Sequence, residues 1–417
     1  MKEFNVPAFL NNSNIYEVNI RQYTPEGTFR AFAEHLPRLK EMGVEILWLM
    51  PIHPIGIPHR KGSMGSYYSI SDHKAINPEF GTIADFDDMV SRIHQLGMKV
   101  IMDWVANHTA WDHVWTIHSP HFFSRDEFGF RSPFDWTDVI QLDHNNEEQQ
   151  IAMIGAMKFW VEEKNIDGFR ADLAHLTPLP FWKRARTVID EIKPDLVWLA
   201  ESEDSSYAEA FDITFTWKWM HKTREVLGKE NGVEQLTSFL SENDLPGLRL
   251  YFTSNHDENS WNGTEYEKYG VYAKALAVFS CLFKNSVPLI YSGQEAANIQ
   301  RLKFFEKDQI NWNTGEDLAG FYSGLLKLRH KPGITFSYES VKMIRMPDLI
   351  SFYVSGDAGN IWVFLHLGTN EVTVRPFDIA GTATHDIFDG TLRNQDSPAV
   401  NMKPGDFIVC ESFRSSE

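Results

Sequence analysis

The chain has 417 residues, of which 43% are hydrophobic, 23% charged and 13% aromatic; this excludes a disordered or fibrous protein and fits one large unit with an appendage. Thirty-nine Lys and Arg against 57 Asp and Glu give a net charge of −18, which disfavours nucleic acid and anionic membrane surfaces as partners. No run approaches the roughly 18 apolar residues of a membrane span, and Cys281 and Cys410 alone cannot make a disulfide framework. The start, Met1 to Pro7, has no apolar leader segment, so a reduced cytoplasm is the expected compartment.

Apolar strand-like runs alternate with helical patterns along most of the chain. Residues 15–20 read as a strand, and Thr24-Pro25 reads as the start of a helix that runs to Gly43. Residues 44–50 (VEILWLM) are near-continuously apolar, as a strand buried on both faces should be. Thr82 and Asp85 form a capping-box pattern for a helix ending at Gly97, and 99–105 is a third strand. The stretch 109–145 is polar, aromatic-rich and aperiodic, too long for an ordinary connection. Alternation then resumes: helix 147–164, strand 168–172, helix 181–192, strand 197–201, strand 211–215, helix 218–240, strand 248–253, helix 269–283 and strand 287–291. Eight strands alternating with helices predict a (β/α)8 TIM barrel over 1–108 and 146–330, with 109–145 as a small inserted domain after the third strand. After Lys331-Pro332-Gly333 the short alternating runs predict an antiparallel C-terminal β-sandwich over 331–417.

In such a barrel, chemistry gathers at the carboxyl ends of the strands. The third strand ends in 103–108 (DWVANH), the fourth in 168–172 (GFRAD), the fifth at Glu201, and the seventh runs into Asn255-His256-Asp257. One charged strand end is commonly a solvated cap; four at the same end of one barrel point to a site. Acids, one Arg and two His, without a Ser elbow, a phosphate loop or a Cys pair, suit glycosyl transfer between a carboxylate nucleophile and a carboxylic acid. Arg170 and Asp172 lie two apart on one strand and therefore face the same side, so Arg170 is expected to act mainly on Asp172, keeping it ionised. Glu201 follows an apolar run and faces further acids, which favours its protonated form.

These motifs resemble the α-amylase family of glycoside hydrolases, family 13. The resemblance extends to 65–72 (GSYYSISD) and 287–295 (VPLIYSGQE), and so covers the barrel. It implies a retaining hydrolase of α-1,4-glucosidic bonds in starch-type glucans or maltooligosaccharides. It also implies Asp172 as nucleophile, Glu201 as general acid/base and Asp257 as the third acid. Arg170, His108 and His256 resemble the residues around the sugar at the cleavage point, Tyr68 the aromatic that stacks beneath it, and Asp103 a supporting acid. No cofactor is implied as required. The family often holds calcium with the Asn of its first motif, here Asn107; because Gln141 stands where an aspartate usually completes that site and Asp143 is out of phase by two, calcium is admitted but not favoured. The Lys-His pair that often follows the nucleophile is replaced by Leu173-Ala174-His175. The same motifs are shared by cyclomaltodextrinase- or neopullulanase-like enzymes, α-glucosidases and transglycosylases on short α-glucans. A non-catalytic glucan-binding protein of the same fold is the remote alternative.

Overall fold

The computed structural model describes residues 4–244, 247–357 and 359–413. Met1 to Glu3, on which the leaderless reading of the start partly rests, lie outside the described residues, as do 245–246 of the expected barrel and 358 and 414–417 of the expected C-terminal domain.

Eight parallel strands close into a barrel, each beside its predecessor: β1 (Ile15–Val18), β2 (Ile46–Leu49), β3 (Lys99–Trp104), β4 (Gly168–Ala171), β5 (Val197–Ala200), β6 (Ile213–Phe215), β7 (Leu248–Tyr251) and β8 (Ser286–Tyr291). Residue after residue in β1, β2, β4, β5, β6 and β8 is buried, which is why β2, β5 and β8 read as near-continuous apolar runs. Between β4 and β5 the backbones approach so closely that a Cβ on Gly168 would lie 2.0 Å from the Val197 carbonyl oxygen. The glycine, at φ +149°, is required there.

The chain divides into two compact units, residues 1–8, 15–215 and 302–311 in one and 9–14, 216–301 and 312–417 in the other. In the first, helix α1 (Ile83–Gln95) starts with the predicted capping box: Thr82 Oγ1 accepts from the Asp85 amide at 3.3 Å and Asp85 Oδ2 from the Thr82 amide at 2.8 Å. The helix expected from Thr24 to Gly43 is instead three short ones, Ile20–Tyr23, Phe29–Ala33 and Leu36–Met42. Thr24 spends its hydroxyl on the Gly27 amide in a turn, Gly27 takes a left-handed φ of +66°, and Thr28 becomes the cap, accepting from Ala31. Helices α2 (Glu147–Glu162) and α3 (Leu179–Asp190) follow β3 and β4. The inserted segment holds two small antiparallel pairs, His108–Ala110 with Val139–Gln141 and Arg125–Asp126 with Gly129–Phe130.

In the second unit the single helix predicted after β6 is two, α4 (Trp217–Val226) and α5 (Gly232–Glu242). Gly228 and Asn231, at φ +70° and +58°, turn the chain between them. Helices α6 (Ala273–Leu282) and α7 (Ala319–Arg329) flank β8 in sequence. The C-terminal region is an antiparallel six-stranded sheet in the order β9-β10-β11-β16-β13-β14, with a separate pair β12-β15. These are β9 (Val341–Met346), β10 (Leu349–Ser355), β11 (Gly359–His366), β12 (Val372–Val374), β13 (Thr384–Asp386), β14 (Leu392–Arg393), β15 (Val400–Met402) and β16 (Phe407–Phe413). Leu349, Trp362, Phe364 and Ile408 of the large sheet pack with Val374 and Met402 of the pair, giving two layers around one small core. Phe352, on the opposite side of β10, meets Phe283 just after α6 at 5.5 Å, and Phe321 of α7 meets Phe388 and Phe407 at 5.6 Å. Among the described residues no helix is long and apolar enough to cross a membrane.

Candidate active site

The register of the first unit's strands builds the site. Asp103 on β3 is opposite Arg170 on β4, and Arg170 is opposite Leu199 on β5, two residues before Glu201. The carboxyl ends of three neighbouring strands therefore deliver Asp103, Asp172 and Glu201 to one guanidinium. Arg170 Nη1 lies 2.8 Å from Asp103 Oδ1 and 3.0 Å from Asp172 Oδ1, and its Nη2 is 2.9 Å from Glu201 Oε2. Arg170 is fully buried, with Trp48, Phe215 and Tyr68 rings 4.9, 5.6 and 5.9 Å from its guanidinium carbon. Burial alone would lower the Arg170 pKa, but the carboxylates of Asp103, Glu201 and Asp172 together hold it well above the ordinary value, so it is a fixed cation.

This corrects the expectation that Arg170 acts mainly on Asp172. The guanidinium is shared, with its shortest contact to Asp103 and a direct contact to Glu201. Asp103 is itself held by two donors, Trp48 Nε1 at 3.1 Å and the Tyr68 hydroxyl at 3.0 Å, both on Oδ2. Its role is to orient Arg170.

Two contributors were not legible in the sequence. Trp48 lies within the apolar run of β2 and looks like core, yet its ring NH fixes Asp103. The second is a backbone amide: Leu173, directly after Asp172, takes a left-handed φ of +38°, and its N–H donates to Glu201 Oε2 at 2.8 Å. A branched side chain at that φ is strained. The departure from the family's Lys-His pair thus begins at a residue whose backbone grips the neighbouring acid.

His108 is buried beside the cluster, in the strand that opens the inserted segment. Burial, aided by the nearby His73, pushes its pKa down to about 3, so at neutral pH it is a neutral hydrogen-bonding ring. Three further buried rings secure the base of the inserted segment. Burial lowers His73 to about 4, His53 to about 3 and His113 well below its ordinary value. As neutral rings their tautomers follow from the geometry. His73 Nε2 donates to the Val105 carbonyl at 2.9 Å, so its Nδ1 accepts from His113 Nε2 at 3.0 Å, and His113 Nδ1 accepts from the Trp115 amide at 3.1 Å.

Asn107, the expected calcium ligand, has its Nδ2 3.3 Å from His108 Nδ1, and Gln141 pairs with His108 across the small sheet. Asp143 Oδ1 accepts from the amide and side-chain nitrogens of Asn145 at 3.0 and 3.2 Å. Among the described residues no three of Asp, Glu, His and Cys gather so as to hold a metal ion. Of the six to eight oxygens, about 2.3–2.6 Å from the ion, that calcium takes, Asn107 and Gln141 can each offer one from the side chain.

In the second unit, Asp257 and His256 follow β7, as the sequence predicts. His256 Nε2 lies 3.4 Å from Asp257 Oδ2, His256 is buried, and the Asp257 carboxyl is partly open to solvent. A π-helical turn, Glu258–Asn262, begins at once, and its first residue is locked by a buried ion pair between Glu258 and Lys268 at 2.9 Å. The Glu258 amide also donates to Asn255 Oδ1 at 2.8 Å. Such turns recur at functional sites.

Known proteins resemble this chain in sequence and in structure. The family described as "Alpha amylase, catalytic domain" matches residues 6–140. An α-amylase from Lactobacillus plantarum superposes with a TM-score of 0.87 at 27% identity, over 97% of this chain and 99% of that one. A noncanonic maltogenic α-amylase from Thermotoga neapolitana gives a TM-score of 0.82 at 30% identity, covering 97% of both chains. The α-1,4-glucan:maltose-1-phosphate maltosyltransferase of Rhodospirillum rubrum is 27% identical over 83% of this chain but only 55% of its own length, so the chain spans about half of that relative. With the barrel and the C-terminal sheet superposing over nearly the whole of both chains and 30% identity to one of them, the chain belongs to the α-amylase family, family 13 of the glycoside hydrolases.

Proposed function

We propose that the protein hydrolyses α-1,4-glucosidic bonds in starch-type glucans or maltooligosaccharides with retention of configuration. The observation that carries this reading is one buried guanidinium holding Asp172 and Glu201 together at the ends of adjacent strands. Asp172, kept anionic by Arg170, attacks the anomeric carbon; Glu201 gives its proton to the departing glycosidic oxygen. The bond from sugar to leaving oxygen breaks as a covalent bond to Asp172 forms. Glu201, now ionised, then takes a proton from water, which displaces Asp172 and restores the α configuration. Asp257 grips sugar hydroxyls in the oxocarbenium-like transition state, with His256 and His108 as hydrogen-bonding partners and Tyr68 under the ring. Neither an organic cofactor nor a metal ion has a step in this scheme. The two cysteines, both buried free thiols, support a reducing compartment such as the cytoplasm.

Transfer to a sugar acceptor is the second reading. It uses the same covalent intermediate, and the Rhodospirillum rubrum relative is named for such a transfer. Chromatography of products from starch, pullulan, β-cyclodextrin and maltotriose side by side separates the two. Hydrolysis gives maltooligosaccharides shorter than the substrate from starch. Products longer than maltotriose formed from maltotriose itself would shift the assignment to transfer, and no new reducing sugar from any of the four would remove the hydrolytic reading.

A further inference from the structure

The inserted segment carries an aromatic feature that the reaction above leaves unused. Trp136 packs edge-on against His108 with ring centroids 5.5 Å apart, and Phe134 lies against Trp136 at 4.9 Å. The rings form a line leading away from a residue of the site. Phe134 is 69% exposed, and its backbone has a left-handed φ of +53°. A ring this open to water gains little from folding beyond its contact with Trp136, and a bulky Cβ substituent at that φ opposes it. The stability of the fold therefore supplies little reason for a phenylalanine here.

The strap that presents the ring is pinned on several sides. Trp111 Nε1 donates to the Thr137 carbonyl at 3.0 Å, Ser69 Oγ to the Asp138 carbonyl at 2.9 Å, and Lys61 Nζ pairs with Asp138 Oδ1 at 2.9 Å. The Trp136 amide closes a turn onto the Pro133 carbonyl at 3.1 Å. A ring held in advance loses little freedom when something lands on it. The exposed neighbour Asp135 disfavours an anionic ligand. A neutral ligand with flat apolar faces and polar edges suits the line of rings, and a chain of pyranose units has that character.

We propose that Phe134 and Trp136 form a stacking surface for glucose units further along the α-glucan than the one at His108, and so set a preference for longer chains. This rests on the α-glucan reading of the site. The test is calorimetric binding of maltoheptaose and maltotriose to the Asp172→Asn protein, with and without changes at Phe134. Phe134→Ala should weaken maltoheptaose about five- to tenfold, the scale of one aromatic contact, and maltotriose by less than about twofold. Phe134→Tyr keeps an aromatic face and should restore the affinity. Phe128→Ala removes a ring that is 90% exposed on the same inserted segment but off the line, and should leave both affinities unchanged. Phe134→Gly accepts the left-handed backbone, so it should lose affinity like Ala without a lower Tm. Equal weakening of both sugars, no weakening, or no binding of maltoheptaose with Phe134 in place overturns the proposal. So does a fall in sedimentation mass on Phe134→Ala, which would mean that the ring covers a second copy of the chain. If the unmodified enzyme fails to hydrolyse starch while binding still depends on chain length and Phe134, the hydrolytic reading fails and the stacking surface stands.

Discussion

Asp172→Asn is expected to lower kcat on maltooligosaccharides by roughly 10^4-fold, some 5.5 kcal/mol of barrier, with the fold intact. The amide is isosteric with the carboxylate, and its oxygen still accepts from Arg170 Nη1. Arg170 keeps Asp103 as an ionic partner at 2.8 Å and its contact with Glu201 at 2.9 Å, so the buried cation is not stranded. What is lost is the nucleophile, because a neutral amide is a poor attacking group on the anomeric carbon. Steady-state kinetics with a parallel thermal melt checks both halves. Activity within about tenfold of the unmodified enzyme, only some 1.4 kcal/mol, would remove Asp172 from the nucleophile's role.

Glu201→Gln is expected to divide substrates by their leaving groups. Its Oε2 is held by Arg170 Nη2 at 2.9 Å and by the Leu173 amide at 2.8 Å. A glutamine carbonyl oxygen still accepts from the Leu173 amide and still faces the guanidinium, so the side chain stays in place. Only the transferable proton is lost. On maltooligosaccharides, where the leaving sugar must be protonated, the loss should be about 10^3-fold, within the range for general acid catalysis. A 2,4-dinitrophenyl or fluoride α-glycoside leaves without that proton, so its glycosylation rate should fall by no more than about tenfold. Pre-steady-state measurement on both substrate types gives the comparison. Equal losses would move the donor elsewhere, with Glu203 and Asp204 the next acids along the chain to test.

The barrel was legible because its strands are short, wholly buried and bounded by helices with recognisable starts. The runs at β2, β5 and β8 carry almost no polar residue, and the Thr82-Asp85 box announces α1 by hydrogen bonds that the structure contains. Helix continuity was less legible. Thr24-Pro25 looks like a cap followed by a first turn, but Thr24 bonds to Gly27 and the helical start moves to Thr28. Between α4 and α5, Gly228 and Asn231 interrupt a pattern whose periodicity hardly changes.

The acids were visible one by one at strand ends, since a charge closing an apolar run is conspicuous. Their partners were not. That Arg170 reaches Glu201 as well as Asp172 depends on β3, β4 and β5 being adjacent and in register, a long-range fact that spacing along the chain does not contain. The Leu173 amide has no side-chain signature at all. Phe134 and Trp136 lie in an aperiodic stretch where any ring reads as core, and only a backbone angle and an exposure set Phe134 apart.

The central claim is that the glycosidic bond is broken through a covalent intermediate on Asp172, and the most direct measurement is the configuration of the first-formed product. Proton NMR of maltoheptaose during the opening minutes of reaction resolves the new reducing ends before mutarotation mixes them. Two displacements at the same carbon predict that the α-anomer appears first and the β-anomer grows in only as mutarotation proceeds. An initial β-anomer would mean a single displacement by water, and would contradict the mechanism.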